Sequence, residues 1–154
     1  MTERVSRSVD TAALLEQYRE LLKTVERLPL AVTGSSMTPF LVPGRDSVWL
    51  TRPEGALRRG DIVLYRRDSG AYVMHRVYRR ARDGSYSMLG DAQQAVEHGI
   101  RREQVLARVC AAERKGRYQG PGRFWWEFFA RVWIRLVPLR PALTRLYHSW
   151  RKEA

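Results

Sequence analysis

Three side chains in this sequence are of the types that together hydrolyse amides: Ser36, His75 and Asp91. Ser36 sits in a tight turn bounded by glycine and proline, Gly34-Ser35-Ser36-Met37-Thr38-Pro39. His75 lies inside a strand-like run, and Asp91 follows Gly90. A hydroxyl is a weak nucleophile until a base takes its proton, and an imidazole does so best when a carboxylate fixes its tautomer. On a strand, His75 shares a face with Val73 and Val77, while Tyr72, Met74, Arg76 and Tyr78 point the other way. Apolar surroundings depress a histidine pKa and an Asp91 carboxylate would raise it, so the expected pair is poised near neutrality. Each residue also has a plainer reading. Serine is common in turns, a strand histidine is often a hydrogen-bonded core residue, and Gly-Asp is ordinary turn chemistry.

The strings around these residues resemble the type I signal peptidase superfamily of serine peptidases, which also includes the self-cleaving repressor proteins. That family's first box, Gly-x-Ser-Met-x-Pro, is matched by Gly34, Ser36, Met37 and Pro39, and its Arg-Gly-Asp-Ile-Val box stands letter for letter at 59–63. His75-Arg76-Val77 follows where bacterial members carry a lysine base and the archaeal and endoplasmic-reticulum subtype a histidine. Gly90-Asp91-Ala92 is similar to the last box. The resemblance covers about residues 30–112. It implies a coiled antiparallel β-fold and a serine endopeptidase in which Ser36 is the nucleophile, His75 the general base and Asp91 the orienting acid. Ser35, Met37 and Pro39 would border the substrate or the oxyanion. Gly34, Gly60, Asp61, Arg76 and Gly90 would form the framework, with Asp61 buttressing the fold as a partner of Arg76.

Three departures modify that reading. Gly34 stands where some bacterial members use a hydroxyl for the oxyanion hole, which leaves backbone N–H groups, that of Ser36 among them. The second acidic residue expected after the last box is missing as aspartate, and Glu97 is a loose substitute. No transmembrane helix precedes the serine, which points to action from the cytoplasmic side.

The elements that must position these residues fall into three parts. Residues 1–29 hold an amphipathic helix, expected over 10–28, with Ala13, Leu14, Leu15, Tyr18, Leu21, Leu22, Val25 and Leu28 on one face and Asp10 or Thr11 as its cap. Residues 30–116 form the catalytic β-domain, with strands expected at Ser47–Thr51, Ile62–Arg66, Ala71–Tyr78, Ser85–Leu89 and Gln104–Cys110. Asp68-Ser69-Gly70 and Arg82-Asp83-Gly84 are hairpin signals. Ser87-Met88 lacks the following proline of the first box and belongs to a strand.

Residues 121–154 form a basic, aromatic, helical tail. From Phe124 to Val137 only Glu127, Arg131 and Arg135 interrupt the apolar run, four residues apart along one stripe. Pro138 breaks it, and a second segment runs over Leu139–Trp150. The first run is too short and too charged to span a bilayer, which takes about 20 apolar residues. Two readings stay open. One is an in-plane interfacial helix that contacts an anionic membrane through Trp125, Trp126, Phe128, Phe129 and Trp133. The other is a helical pair packed on the β-domain or on the first helix.

The balance of 28 Lys+Arg against 16 Asp+Glu, a formal charge of +12, favours anionic partners. Specific nucleic-acid binding is not expected, because residues 1–29 have room for one helix only, where the self-cleaving repressors carry a separate multi-helix DNA-binding domain. The lone Cys110 forbids an internal disulfide and reads as a buried thiol. His98 and His148 lack partners at metal-ligand spacing, and no glycine-rich phosphate loop occurs, so no metal or cofactor is expected. The expected protein is cytoplasmic, peripheral at the inner face of the membrane, and acts on a peptide or protein precursor after small residues. The alternative is a membrane- or partner-binding module on the same fold with a vestigial triad.

Overall fold

Between residues 28 and 119 the chain alternates short apolar runs with glycine turns, and it folds as an antiparallel sheet. In the computed structural model residues 2–153 are described, with side chains over 11–150. The strands are β1 (Leu28–Ala31), β2 (Ser47–Thr51), β3 (Ile62–Arg66), β4 (Tyr72–Arg80), β5 (Tyr86–Leu89), β6 (Glu97–Ile100), β7 (Val105–Arg114) and β8 (Arg117–Gln119). They run in the spatial order β1-β2-β7-β3-β4-β5-β6, with β8 paired to β7. Every pairing is antiparallel, and four of them carry a register shift, the kind of bulge that bends and coils a sheet.

The sequence reading placed five of these strands to within a few residues and missed β1, β6 and β8. Each omission has a local cause. Pro29 argues against a strand but is tolerated at the sheet edge, which is where β1 lies. Glu-His-Gly-Ile in β6 is polar and glycine-bearing, and it too is an edge. The β7–β8 hairpin turns through Lys115 and Gly116, with φ of 51° and 72°. Positive φ at both central residues is the two-residue turn that suits strand twist.

The two sheet faces bury separate apolar clusters. One gathers Met37, Phe40, Val48, Ile62, Leu64 and Leu106 with residues from the flanking helices. The other holds Val63, Tyr65, Val77, Tyr86, Met88 and Val105. Helix α1 (Thr2–Leu21) starts earlier and ends earlier than the expected 10–28, so Asp10 and Thr11 are interior to it and not caps. Leu15 and Leu22 are buried and Tyr18 is half-buried, whereas Ala13, Leu14, Leu21 and Val25 stay exposed. The Tyr18 hydroxyl donates to Pro29 O at 2.9 Å and the Tyr72 hydroxyl to Glu16, which fastens the helix to the sheet.

The tail is a chain of short helices, not one long apolar one. Helix α2 (Phe124–Arg131) gives way to 3-10 turns at Trp133–Arg135 and Val137–Leu139, then to α3 (Arg140–Glu153). Phe129, Trp133 and Ile134 are buried, and Trp126 and Phe128 pack half-buried against the first cluster. Burying each large side chain of this kind contributes roughly 1.5–3 kcal/mol. Lipid contact expected for Phe129 and Trp133 is therefore corrected: both belong to the protein core. Among the described residues no helix is long and apolar enough to cross a membrane.

Candidate active site

The Ser36 turn lies in the loop between β1 and β2. Gly34 takes φ of +73°, Thr38 donates to Ser35 O through both its N–H and its hydroxyl, and Leu41 N donates to Met37 O. Met37 and Phe40 plunge into the core and pin the turn, leaving Ser36 half-buried and Ser35 and Pro39 exposed. Met37 is thus a core anchor, not a substrate contact. Ala92 N donates to Ser36 O at 2.9 Å. A Cβ on Gly90 would come within 2.6 Å of that same carbonyl, so the close approach requires glycine.

His75 and Arg76 lie on opposite faces of β4. Arg76 faces Phe40, its guanidinium 5.1 Å from the ring centroid. Its Nε donates to Asp91 Oδ1 at 2.8 Å and its Nη1 to Gly60 O at 2.9 Å. Arg76 and Asp91 are both buried, and Trp133 Nε1 donates to Asp91 O at 2.9 Å. Burial pushes the Asp91 carboxyl up, against the opposing pull of Arg76 and then Arg140. Two expectations change here. Asp91 pairs with Arg76 and makes no hydrogen bond to His75, and Asp61 leaves Arg76 alone. Asp61 instead accepts from Arg58 N through Oδ2 and from Val77 N through its carbonyl. Gly60 has φ of +94°, and a Cβ there would meet Ala130 O at 2.5 Å, so the Arg-Gly-Asp turn is the seat of α2.

On the other face His75, fully buried, meets the Tyr65 hydroxyl with Nδ1 at 3.0 Å. Tyr65 in turn donates to Glu97 Oε2 at 2.6 Å, and Arg67 holds the same carboxylate with Nε at 2.9 Å. The phenol has one proton. Burial and the Glu97 charge push its pKa up, so it stays protonated. Against the cost of burial, hydrogen bonds from Arg67 and Tyr65 hold Glu97 below the usual carboxylate range. With the Tyr65 proton committed to Glu97, His75 must donate from Nδ1, which assigns the tautomer with a lone pair on Nε2. That Nε2 is buried and has no hydrogen-bond partner. Burial pushes the His75 pKa down to about 4; Arg67 acts in the same direction and Glu97 opposes it.

No hydrogen bond joins Ser36 to His75 Nε2. The two are nevertheless aligned by register. Arg76 pairs with Leu89, so one further step sets Gly90 level with His75, and Gly90 is the residue on which the Ser36 carbonyl rests. Among the described residues the Ser36 N–H makes no hydrogen bond and is available as a donor.

A second Ser–His contact exists that sequence spacing did not suggest: Ser87 Oγ and His98 Nδ1 lie 2.8 Å apart across β5 and β6. Ser87 is buried within a strand and, among the described residues, no carboxylate backs His98, so this contact ties two strands together. Cys110 is half-buried, its Sγ donating to Trp49 O at 3.4 Å. Among the described residues no three His, Cys, Asp or Glu side chains converge as metal ligands do. A cavity of about 380 Å³ lined by Arg19, Arg66, Arg67, Arg101 and Glu103 lies beside the Arg67 end of the site and does not include Ser36 or His75.

Sequence reasoning missed the Tyr65–Glu97 link, although its signal was present. Tyr65 and His75 share strand parity on paired β3 and β4, and Glu97 is the one acid near the end of the last box. Compared with known proteins, the chain matches no family profile and is not significantly similar to any curated protein.

Proposed function

We propose that this chain is a serine endopeptidase of the signal-peptidase-like class, on that family's coiled β-fold, which cleaves a leader or precursor peptide after small residues. The observation that carries the reading is the His75 ring. Its Nδ1 is engaged by Tyr65 and Glu97 while the buried Nε2 keeps an unshared lone pair, on a strand one removed from the Ser36 turn. His75 Nε2 takes the Ser36 hydroxyl proton as Oγ attacks the scissile carbonyl carbon. The Ser36 N–H stabilises the oxyanion, and the imidazolium returns its proton to the departing amine. Water then hydrolyses the acyl-enzyme with His75 again as base. Glu97, through Tyr65, takes the orienting part expected of Asp91, and Asp91 becomes framework.

A second reading keeps the fold without the chemistry, as a membrane- or partner-binding module. It is favoured by the absence of a Ser36–His75 hydrogen bond and by the complete burial of the ring. Apo sites often hold such contacts long and tighten them only around substrate, so the geometry does not remove the first reading. Incubation with a diverse peptide library, read by mass spectrometry, separates the two. The peptidase cleaves after small residues, and Ser36→Ala loses on the order of 10⁴-fold or more of that activity. Retained cleavage in Ser36→Ala would remove this nucleophile, and identical uncleaved profiles would favour the binding module.

A further inference from the structure

The second half of the tail has little cover. Every residue of α3 from Ala142 to Trp150 is exposed, including Leu143 at 37%, Leu146 at 54% and Trp150 at 72%, and Leu139 just before the helix stands at 54%. At 100° per residue, Leu143, Leu146 and Trp150 fall within about 60° of the helix circumference and make one apolar stripe. Arg145 lies on the opposite side, and the helix continues into Arg151 and Lys152. Over residues 121–154 seven Lys or Arg face two Glu, and one of these, Glu127, is bonded to Arg131 at 2.8 Å.

A helix of this length is marginal without something to pack against. Its root is nonetheless firmly held. Arg140, buried, donates from Nη1 to Gly90 O at 2.9 Å and Gln93 O at 2.7 Å, and from Nη2 to Trp133 O at 3.1 Å. The helix therefore starts from a fixed base and keeps its apolar stripe exposed.

We propose that α3 docks this protein on an anionic lipid surface, the stripe of Leu143, Leu146 and Trp150 entering the headgroup boundary while the net positive charge of residues 121–154 is drawn to lipid phosphates. One of the two sequence readings put lipid contact on the first aromatic segment, whose Phe129 and Trp133 the fold consumes. Charge selects lipid over a second copy of the chain: the second copy carries the same excess of Arg and Lys over residues 121–154, whereas an anionic leaflet attracts each basic residue. Docking also reaches the candidate site. Arg140 clamps the Gly90–Gln93 loop that carries Asp91 and supports the Ser36 carbonyl, and this coupling rests on the peptidase reading while the docking does not.

Vesicle flotation of the full chain tests it, with phosphatidylcholine vesicles and with vesicles that also carry phosphatidylglycerol. The wild type should float with the anionic vesicles only, less so as salt rises. Leu146→Glu with Trp150→Glu should weaken this partition by roughly 100-fold or more. The circular dichroism and melting of the β-domain should stay unchanged, and Ser36→Ala should bind as wild type does. Equal flotation of the double variant would overturn the assignment to α3, and no flotation of the wild type would overturn docking itself. A wild-type dimer that the double variant dissolves would reassign the stripe to self-association. Any peptide cleavage should rise with anionic vesicles and lose that rise in the double variant. If no cleavage occurs at all, the peptidase reading fails and the flotation result stands by itself.

Discussion

His75 and Arg76 are consecutive residues of one strand, and each reaches a carboxylate on its own face of the sheet. Arg76 touches its partner directly: Asp91 is 2.8 Å away, both are buried, and Phe40, Trp133 and Arg140 close around them. His75 reaches Glu97 only through the Tyr65 hydroxyl, and that carboxylate is shared with the half-exposed Arg67. The first arrangement fixes two charges in place and leaves no proton to move. The second leaves a neutral ring with one nitrogen oriented and the other open. Of two acids a short distance apart in the sequence, the buried Asp91 serves the framework and the half-buried Glu97 the candidate chemistry. Strand parity, not proximity along the chain, decides which is which.

The largest effect expected from breaking this pair of pockets is on stability at the framework acid. Asp91→Asn leaves the Arg76 guanidinium buried without its counter-charge, which costs about 3–5 kcal/mol. Arg76→Met with Asp91→Leu removes both charges and should recover most of that loss. Urea unfolding of the three proteins at neutral pH gives the answer. A loss below about 1 kcal/mol in Asp91→Asn would mean the ion pair is not what holds the 90–93 loop.

Next in size is the acid sensitivity that His75 imposes. Its folded pKa, about 4, lies below the ordinary value of 6.5. The unfolded chain thus binds the extra proton first, so stability contributed by the neutral ring is present above pH 6.5 and is lost as pH falls toward 4. The full loss amounts to about 3 kcal/mol. Asp91 and Glu97 add slopes of their own, so the informative quantity is the difference between wild type and His75→Gln at each pH. That difference should change between pH 6.5 and 4 and be flat above. A difference independent of pH would place the ring in contact with solvent and undo the contrast with Arg76.

Much of this arrangement could be read before the fold was known, and the unread part has a physical cause. Strands with clear alternation and glycine turns, such as Ile62–Arg66, declared themselves; edge strands carrying Pro29 or Gly99 did not, because an edge tolerates residues that a central strand excludes. Ser36 and His75 stood out because their types and surrounding strings were informative. The acid on His75 did not, since Asp91 was nearer in motif and nothing in a linear string reports that Gly90-Asp91 follows the face of Arg76. For the greasiest segment, Phe124–Val137, lipid contact and packing on the β-domain stood as equal readings, and the burial of Phe129, Trp133 and Ile134 favours packing. Greasy side chains are also the ones a core takes up first, and the weaker stripe of α3 is what remains outside.

The smallest effect sharpens the comparison most. Tyr65→Phe removes the hydroxyl between His75 Nδ1 and Glu97 Oε2 while keeping the ring that packs in the second cluster. Stability should fall by about 2 kcal/mol, since the hydroxyl's two hydrogen bonds are lost and His75 Nδ1 is left unpaired, but no charge is stranded while Arg67 still holds Glu97. If Tyr65 fixes the tautomer, peptide cleavage should suffer in kcat by roughly 10- to 100-fold with KM little changed, because substrate contacts are untouched and only the orientation of the base is lost. Glu97→Gln should act on the same limb of the pH profile. Glu97 raises the His75 pKa, so its neutralisation moves the acid limb of kcat/KM below its wild-type position near pH 4, whereas Asp91→Asn leaves that limb in place. A limb that followed Asp91 and ignored Glu97 would mean that the acid on the Arg76 face governs the base after all, through space and against the parity of the strand.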